Sequence, residues 1–374
     1  MTFYLSEYRK EPLSEYLIAR IRFTMDEIEQ DTQIGLNVIY IDKDTRTATF
    51  YPFQKTYKIQ NSEWERWCNL NDFDAISVDQ SGICYCFYEA GSGETTIVTG
   101  LGCNTNCVMC PVSESSRIHA YPAPLKELTS QIAYFGTAVE HITITGGEPT
   151  LLKQDLLEVI KNAKQQCPSA EILILTNGRT FCVNSYTKEF IENLSAFDRI
   201  AIPIHGSTDA KHDAITQSKG SFNQTIRGLQ NLAVGKMQLE IRVVVSKLNC
   251  ADISNIADII LHIPRVTVVN FIGLEMCGNA IKNRDRVWID YSEAANACED
   301  AIEKIIHAGI DVGLYNFPLC AVKRKYWSLC KDSISDYKIR YKPECATCAV
   351  REICNGVFSS TISTGCFVAR PIME

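Results

Sequence analysis

The stretch Cys103-Asn104-Thr105-Asn106-Cys107-Val108-Met109-Cys110 follows a predicted strand and places three cysteines at the spacing CxxxCxxC. A cluster of four irons normally takes four cysteine ligands. Three thiolates therefore either borrow a distant fourth or leave one iron open to a small molecule. An open iron can bind the amino and carboxylate groups of S-adenosylmethionine (SAM) and pass an electron into its sulfonium, which releases a 5'-deoxyadenosyl radical. The alternative is a zinc knuckle, but zinc pairs use the spacing CxxC and no fourth partner lies nearby.

Composition limits the other possibilities. The 374 residues are enough for roughly two or three domains, and the net charge of -7 argues against a nucleic-acid partner, which would require a basic domain. No stretch approaches the ~20 apolar residues of a membrane span, and the start of the chain lacks an export signal. We expect a soluble cytoplasmic protein without a membrane partner. In a reducing cell its 17 cysteines would be free thiols or metal ligands rather than disulfides.

Residues 1–92 are predicted to form an accessory β-rich domain. Residues 36–41 and 47–53 are rich in β-branched and aromatic side chains and flank a polar turn, so they predict a hairpin. Residues 76–78 and 83–88 predict a second one. We interpret Cys84 and Cys86 in this second hairpin as structural, with their side chains on opposite faces of the strand.

From residue 93 the pattern changes to short apolar strands that alternate with helices. This alternation predicts parallel βα units and an α/β fold, a partial (β/α)6 TIM-type barrel over residues 93–275. The six predicted strands are residues 95–101, 141–145, 171–176, 199–204, 239–245 and 266–272. The helices between them are predicted at residues 125–135, 154–166, 187–194, 222–233 and 253–263. Active sites of such barrels lie at the C-terminal ends of the strands.

The second strand ends in Gly146-Gly147-Glu148-Pro149. Two glycines let a ligand approach the main chain closely, and a carboxylate beside them can bind an ammonium group. We therefore expect Glu148 to hold the methionine amino group of SAM.

Further candidates follow later strands. His205 can face SAM or a peptide, and Ser207 is a candidate SAM ligand. The alternative for Ser207 and Asp209 is a turn with a helix N-cap. Arg242 lies within a strand and needs a partner. We expect that partner to be the SAM carboxylate rather than Glu240, which we place on the opposite strand face. Other residues that could reach the site are His212, Asp213 and Glu275.

Residues 276–374 are predicted to form a cysteine-rich C-terminal domain. It begins with a predicted helix at residues 292–308. Within 47 residues it then contains Cys320, Cys330, Cys345, Cys348, Cys354 and Cys366.

The motifs CNTNCVMCP and ITITGGEPTL resemble the radical SAM superfamily. The resemblance implies that Cys103, Cys107 and Cys110 bind a 4Fe-4S cluster. It also implies that Gly146, Gly147 and Glu148 lie at the methionine end of SAM. Met109 replaces a residue that is often aromatic in the superfamily, and its main chain is expected to reach adenine. The implied redox partner is an electron donor such as flavodoxin or ferredoxin.

Most of residues 95–360 are similar to one subgroup, the radical SAM maturases of His-Xaa-Ser peptide systems. The similarity rests on IPIHGSTDAKHDAITQSKGSF, LEIRVVVSKLN, IGLEMCGNA, LYNFPLC, SISDYK and CATCAVREICNGVF. It implies a ribosomally made precursor peptide as substrate and a crosslink or an oxidation as the outcome. The first domain would then capture a leader peptide by strand addition. The alternatives are a radical SAM enzyme acting on a small metabolite and a non-enzymatic zinc or iron-sulfur sensor.

The spacing Cys345-x2-Cys348-x5-Cys354 resembles the SPASM/twitch-like region of peptide-modifying radical SAM enzymes. This resemblance implies one auxiliary 4Fe-4S cluster, for which we choose Cys320 as the fourth ligand. Cys330 and Cys366 remain reserves. A structural zinc bound by the same four cysteines is the alternative.

Overall fold

The computed structural model describes residues 2–118, 120–331 and 339–373. The chain divides into two compact units. The first unit comprises Met1–Thr99, Ala123–Thr145 and Gln154–Leu173, and the second comprises Gly100–Pro122, Gly146–Lys153 and Ile174–Glu374. Across the described ranges no helix is both long enough and apolar enough to cross a membrane. The three-domain division drawn from the sequence stays a prediction.

The first unit contains a seven-stranded sheet in the order β1-β7-β6-β2-β3-β4-β5. The strands are β1 (Thr2–Tyr4), β2 (Tyr16–Arg22), β3 (Val38–Asp42), β4 (Thr47–Tyr51), β5 (Lys55–Lys58), β6 (Ala75–Asp79) and β7 (Ile83–Tyr88). Both predicted hairpins are present, since β3 pairs antiparallel with β4 and β6 pairs antiparallel with β7. Two helices, α1 (Ile28–Gln33) and α2 (Asn61–Cys68), accompany the sheet.

An aromatic core supports this sheet. Phe3 packs edge-on against Trp67 with ring centroids 4.9 Å apart, and Tyr8 is fully buried among the same residues. Cys84 and Cys86 are both buried in this core. Their predicted placement on opposite faces is wrong, because residues i and i+2 of a strand share one face. Their interpretation as structural cysteines agrees with this burial.

The second sheet has eight strands in the order β15-β14-β13-β12-β11-β10-β9-β8, so strands that follow one another in the chain are neighbours in the sheet. They are β8 (Glu94–Val98), β9 (His141–Thr145), β10 (Glu171–Leu175), β11 (Arg199–Pro203), β12 (Gln238–Val245), β13 (Val266–Gly273), β14 (Asp311–Tyr315) and β15 (Cys330–Lys331). The pairs β8–β9, β11–β12, β12–β13 and β13–β14 are parallel. The predicted α/β partial TIM-type barrel is confirmed, with two strands more than the six expected.

Helices connect most of these strands. They are α3 (Glu114–Ile118), α4 (Leu125–Ile132), α5 (Gln154–Gln166), α6 (Asn184–Glu192), α7 (Asp209–Thr216), α8 (Ser221–Leu232), α9 (Ile253–Leu261), α10 (Asn279–Lys282), α11 (Arg284–Val287), α12 (Tyr291–His307) and α13 (Ser359–Ser363). A small sheet pairs β16 (Ile339–Arg340) with β17 (Val357–Phe358).

Alternation along β12 sorts its side chains between two faces. Leu239, Ile241 and Val243 are fully buried on one face. Glu240 and Arg242 lie on the other face, which therefore carries the polar groups of this strand.

Candidate functional site

The cysteine loop after β8 is held by main-chain hydrogen bonds at three points. The Asn106 N–H donates to Thr216 O at 3.0 Å, and the Val108 N–H donates to Ile215 O at 2.9 Å. The Asn279 N–H donates to Cys110 O at 2.8 Å. These bonds restrain the main chain of the loop at Asn106, Val108 and Cys110.

Met109 occupies the position for which the sequence predicted a contact with adenine. Its side chain is buried in an apolar cluster with Val108, Ile215, Leu274 and Met276. The side chain therefore anchors the loop, which leaves only the main chain of Met109 for the predicted adenine contact.

The cysteine sulfurs of the loop have few polar neighbours. Cys103 Sγ lies 3.2 Å from Thr105 Oγ1, and Cys107 Sγ lies 3.6 Å from the same hydroxyl. Burial raises the pKa of the Cys107 thiol to about 11 and also raises the pKa of Cys110. Within the described ranges, no three His, Cys, Asp or Glu side chains form a group that could hold a metal ion.

Glu148 precedes a short 3-10 helix at Pro149–Leu152, and the residue is 3% exposed. Its Oε1 accepts from Thr150 N at 3.0 Å and from Thr176 Oγ1 at 2.6 Å, and its Oε2 accepts from Asn177 N at 2.6 Å. Burial raises the pKa of Glu148, while these hydrogen bonds oppose that shift. The carboxylate thus orders the strand ends around it and keeps one lone pair on Oε2 for a further donor.

Gly147 lies directly against the cysteine loop. Its N–H donates to Gly100 O at 2.8 Å, and the next N–H, of Glu148, donates to Gly102 O at 2.9 Å. A Cβ atom at position 147 would lie 2.2 Å from Gly102 O. Only glycine therefore fits there, and the two motifs recognised in the sequence share a main-chain interface.

Asn177 and Arg179 join the loop after β10 to the cysteine loop, a connection that the sequence did not predict. The Asn177 side-chain amide donates to Asn104 Oδ1 at 2.6 Å and lies 3.9 Å from Cys103 Sγ. Arg179 donates to Asn104 O and, at 2.9 Å, to Ser218 Oγ. The available signal was their position directly after a predicted strand.

His205 and His212 form a buried pair after β11. The His205 N–H donates to His212 Nδ1 at 3.2 Å, and the ring centroids are 5.7 Å apart. Burial lowers the pKa of His205 to about 3 and that of His212 to about 4, so both imidazoles are neutral near pH 7. Among the described residues, the buried Nδ1 of His205 has no hydrogen-bond partner.

Ser207 is committed to a neighbouring carboxylate. Its N–H and its hydroxyl both donate to Asp252 at 2.8 Å. Thr208 caps α7 by accepting from Lys211 N, so the expectation that Ser207 or Asp209 is the cap is wrong. Asp213 instead accepts from Ser221 and Phe222 at the start of α8.

Glu240 is the carboxylate partner of Arg242. Arg242 Nε donates to Glu240 Oε1 at 2.6 Å, and Asn270 Nδ2 donates to the same oxygen at 2.7 Å. The sequence-based exclusion of Glu240 is wrong, because side chains two residues apart in a strand share a face. The Arg242 side chain is 28% exposed, against 2% for Glu240, so the outer part of the guanidinium is open to a ligand. Glu275 accepts from Ser360 Oγ at 2.7 Å.

Four of the six C-terminal cysteines line a single pocket. These are Cys320, Cys345, Cys348 and Cys354. The main-chain N–H of Leu319 donates to Cys354 Sγ, and that of Ile372 donates to Cys348 Sγ, both at 3.4 Å. The pocket is also lined by Arg340, Tyr341, Arg351 and Arg370.

Neither of the two reserve cysteines is among the residues that line this pocket. Cys330 Sγ donates to Tyr326 O at 3.9 Å, and Cys366 is buried in the apolar cluster that contains Met109. The motif SISDYK, residues 333–338, lies outside the described residues.

Comparison with known families gives one match, and it includes the cysteine loop and Glu148. Residues 97–258 match the family model of the radical SAM superfamily. This segment of the chain is similar to radical SAM domains. This family uses a 4Fe-4S cluster together with SAM. The matched range includes the cysteine loop, Gly146-Gly147-Glu148 and the strands up to α9.

Several known proteins are similar to between two fifths and about half of this chain. An AdoMet-dependent heme synthase of Methanosarcina barkeri is 27% identical over 158 residues, which is 41% of this chain and 42% of that protein. The mycofactocin maturase MftC of Mycobacterium tuberculosis is 31% identical over 163 residues, 41% of this chain and 38% of MftC. A GTP 3',8-cyclase of Lactiplantibacillus plantarum is 26% identical over 206 residues, 53% and 59% of the two chains. The chain thus spans about two fifths to three fifths of these relatives.

Solved structures give a weaker likeness. Streptococcus suis SuiB bound to its precursor peptide SuiA has a TM-score of 0.46 at 14% identity, covering 59% of this chain and 48% of SuiB. The enzyme anSMEcpe with bound AdoMet and a peptide has a TM-score of 0.47 at 17% identity, covering 59% and 63%.

Proposed function

We propose that the protein is a radical SAM maturase of a ribosomally made precursor peptide, belonging to the His-Xaa-Ser subgroup that its motifs resemble. The observation that carries the proposal is the separation of two cysteine sites. One is a three-cysteine loop next to Gly147 and Glu148, and the other is a pocket lined by four cysteines. MftC, a relative with a maturase name, supports a peptide substrate.

The donor set of the first site fits a cluster with one open iron. Cys103, Cys107 and Cys110 would bind three irons and leave the fourth for SAM. When bound, the cluster and SAM supply one-electron reductive cleavage of SAM and abstraction of a hydrogen atom from the peptide, which yields a crosslink or an oxidation. Flavodoxin or ferredoxin would deliver the electron.

The protein would bind the methionine end of SAM through Gly146, Gly147 and Glu148. The absence of a side chain at Gly147 lets the main chain before the cysteine loop pack against it and so brings Glu148 next to that loop. The remaining lone pair of Glu148 Oε2 can accept from the ammonium group. The outer guanidinium nitrogens of Arg242 would bind the carboxylate, because Glu240 already fixes its Nε at 2.6 Å. The Met109 main chain would contact adenine, and His205 and Ser207 would line the same site.

The second site would hold one auxiliary 4Fe-4S cluster with Cys320, Cys345, Cys348 and Cys354 as ligands. A fully thiolate-bound cluster has no open iron, so we assign it to electron transfer or peptide binding. A zinc ion could take the same ligands. Metal analysis and the visible spectrum distinguish the two. The cluster would add four irons per chain and absorb visible light, whereas a zinc site would contain no iron and would be colourless.

A cavity in the first unit supports capture of a peptide by strand addition. The cavity is about 500 Å³ and is lined by residues of β2, of the turn before β3 and of α4. β3 pairs with β2 over only Arg20–Arg22, whereas β2 begins at Tyr16. The N-terminal half of β2 thus lies at the cavity without β3 beside it. The Ile18 carbonyl there accepts from Asn37 Nδ2 and from Tyr134 Oη, both at 3.0 Å, so an added strand would replace these two bonds.

Filling this cavity tests the capture hypothesis. Ser130, on α4, lines the cavity, so Ser130→Trp should block an added strand and Ser130→Ala should not. We expect the affinity for a His-Xaa-Ser precursor peptide to fall at least tenfold in the Trp variant only. Equal affinity in both variants, with both folded, would remove the hypothesis.

Relatives named heme synthase and GTP 3',8-cyclase favour a second candidate, a radical SAM enzyme of a small metabolite. Anaerobic reconstitution followed by a SAM-cleavage assay separates the candidates. A maturase forms 5'-deoxyadenosine faster when its peptide is present, and mass spectrometry of the co-expressed peptide shows the mass change. A rate of SAM cleavage that is the same with and without the peptide favours an enzyme that acts on a small metabolite. If the protein is colourless, contains zinc and forms no 5'-deoxyadenosine, both enzyme candidates are excluded and a non-enzymatic zinc sensor remains.

A further inference from the structure

Ile372 is fixed against the pocket of the four C-terminal cysteines by two main-chain hydrogen bonds. Its N–H donates to Cys348 Sγ at 3.4 Å, and its carbonyl accepts from Ala349 N at 2.7 Å. The acceptor of one bond and the donor of the other lie on adjacent residues, Cys348 and Ala349. Ile372 is thereby held in one position relative to the Cys348 sulfur.

Arg370, two residues earlier, is fixed at a different point. Its guanidinium donates to both carboxylate oxygens of Asp290 at 3.2 Å and to Ser292 Oγ at 2.8 Å. Asp290 is itself the N-cap of α12. A bidentate arginine–carboxylate pair restrains direction as well as distance, so the segment is anchored to a long helix beside the pocket.

Arg370 and Pro371 also line this pocket. Pro371 has no N–H to donate. The hydrogen bond that residues 370–372 give to a cysteine sulfur is the one from the Ile372 N–H to Cys348 Sγ.

Hydrogen bonds to ligand sulfurs are one of the factors that set the reduction potential of an iron-sulfur cluster. An N–H dipole stabilises negative charge on the sulfur, and the reduced cluster carries one more electron. Each such bond therefore favours the reduced form, and such outer partners of metal ligands also affect metal retention.

We propose that residues 370–372 form a strap that belongs to the auxiliary cluster site and raises the reduction potential of that cluster through the Ile372 N–H. The proposal rests on the proposed function, since it assumes that the four cysteines hold iron. It assigns a positioning role to a segment outside every cysteine motif. Arg370 acts by anchoring the strap and Ile372 by donating to Cys348.

The test compares Ile372→Pro, which lacks the N–H, with Ile372→Ala, which keeps it. Both reconstituted proteins are titrated with dithionite and followed by electron paramagnetic resonance, and iron is counted per chain. We expect a more negative midpoint potential for the auxiliary cluster in the Ile372→Pro variant alone. The SAM-binding cluster serves as an internal reference whose potential stays the same. Identical auxiliary potentials in the two variants would overturn the proposal.

Arg370→Gln provides a second route if the Ile372→Pro variant does not fold. It keeps the main chain but breaks the bidentate contact with Asp290, so we expect a smaller shift in the same direction. An unchanged potential in this folded variant would again contradict the proposal.

Cys348→Ser separates the failure of the strap from the failure of the proposed function. If this variant keeps the full iron content, the assignment of the auxiliary cluster is itself wrong. If it loses iron while Ile372→Pro and Ile372→Ala have equal auxiliary potentials, only the strap is contradicted.

Discussion

The main-chain N–H of Asn177 donates a 2.6 Å hydrogen bond to the carboxylate of Glu148. The side chain of the same asparagine lies 3.9 Å from Cys103 Sγ. Asn177, in the loop that follows β10, therefore contacts both Glu148, which is proposed for the methionine end of SAM, and Cys103, a proposed cluster ligand. Changes at any of these three positions should affect the other two.

Replacing Glu148 with Gln tests this connection. The amide nitrogen of Gln is a donor, so it cannot accept both sets of hydrogen bonds that the carboxylate accepts. Leaving a buried donor unpaired costs about 1–3 kcal/mol. We expect weaker SAM binding, measured by calorimetry on the reconstituted protein, and a shifted spectrum of the first cluster. SAM affinity within twofold of the original would show that the Glu148 charge is dispensable.

Gly147→Ala should be more damaging. The added Cβ would lie 2.2 Å from Gly102 O, and relieving such a clash typically costs about 1–3 kcal/mol. Because the displaced residue begins the cysteine loop, we expect loss of iron from the first site together with lower thermal stability. Gly93→Ala is the matched control, since its Cβ would meet only a glutamate oxygen at 3.9 Å. Equal iron content in both variants would contradict the role assigned to Gly147.

The buried histidine pair predicts a pH dependence of folding. The folded-state pKa values of His205 and His212 are lowered to about 3 and about 4, below an unfolded value near 6.5. Below that value the unfolded chain binds more protons, so stability falls as pH decreases from about 6.5 toward 4. Between pH 6.5 and 5 the loss is about 2 kcal/mol per histidine.

Denaturant unfolding at several pH values measures this slope. The variant His205→Asn/His212→Asn should flatten it, whereas His262→Asn, which changes an exposed histidine, should not. If the free energy of unfolding of the double variant still depends on pH to the same extent, groups other than His205 and His212 cause the dependence.

The Arg242–Glu240 pair predicts that replacing Arg242 alone lowers the free energy of unfolding more than replacing both residues. Arg242→Met removes the closest cation of a carboxylate that is 2% exposed. Breaking a buried pair costs about 3–5 kcal/mol when the remaining charge is left without a partner. Because Arg199 Nη1 stays 3.5 Å from Glu240 Oε2 and Arg242 is partly exposed, we expect a loss below that range. The double variant Arg242→Met/Glu240→Gln should recover part of the loss, as measured by chemical unfolding. An additive double variant would show that the two side chains do not interact.

Single serine variants distinguish the C-terminal cysteines. Cys320→Ser should lose the auxiliary irons, because Cys320 lines the pocket with Cys345, Cys348 and Cys354. Cys330→Ser and Cys366→Ser should keep them. Iron counting and the visible spectrum after anaerobic reconstitution measure the outcome. If Cys320→Ser keeps the auxiliary irons and Cys330→Ser or Cys366→Ser loses them, Cys320 is not the fourth ligand.

Local sequence signals were sufficient for much of this architecture. The strands β9, β10, β12 and β13 are continuous or alternating apolar segments, and the observed bounds differ from those predicted by one residue at most. β14 and β15 were missed. β14 is as long as β9 and β10 but includes Gly313, which interrupts its apolar pattern, and β15 consists of only two residues.

Contacts across the sheet could not be predicted in the same way. The bond between Asn177 and Glu148 joins residues 29 positions apart, and nothing in either segment specifies the other. The pairing of Arg242 with Glu240 was within reach of the sequence, because strand geometry alone places residues i and i+2 on one face. The roles of Thr150, Thr176 and Arg179 depend on strand order and emerge only once the sheet is assembled.

The central claim is that the three-cysteine loop supports SAM cleavage directed at a peptide. The most direct measurement is 5'-deoxyadenosine formation by the anaerobically reconstituted protein, with and without a His-Xaa-Ser precursor peptide, alongside the variant Cys107→Ala. We predict formation that depends on reductant, increases with the peptide and is abolished in the variant. No 5'-deoxyadenosine from protein with a fully assembled cluster, or equal amounts from the Cys107→Ala variant, would contradict the account.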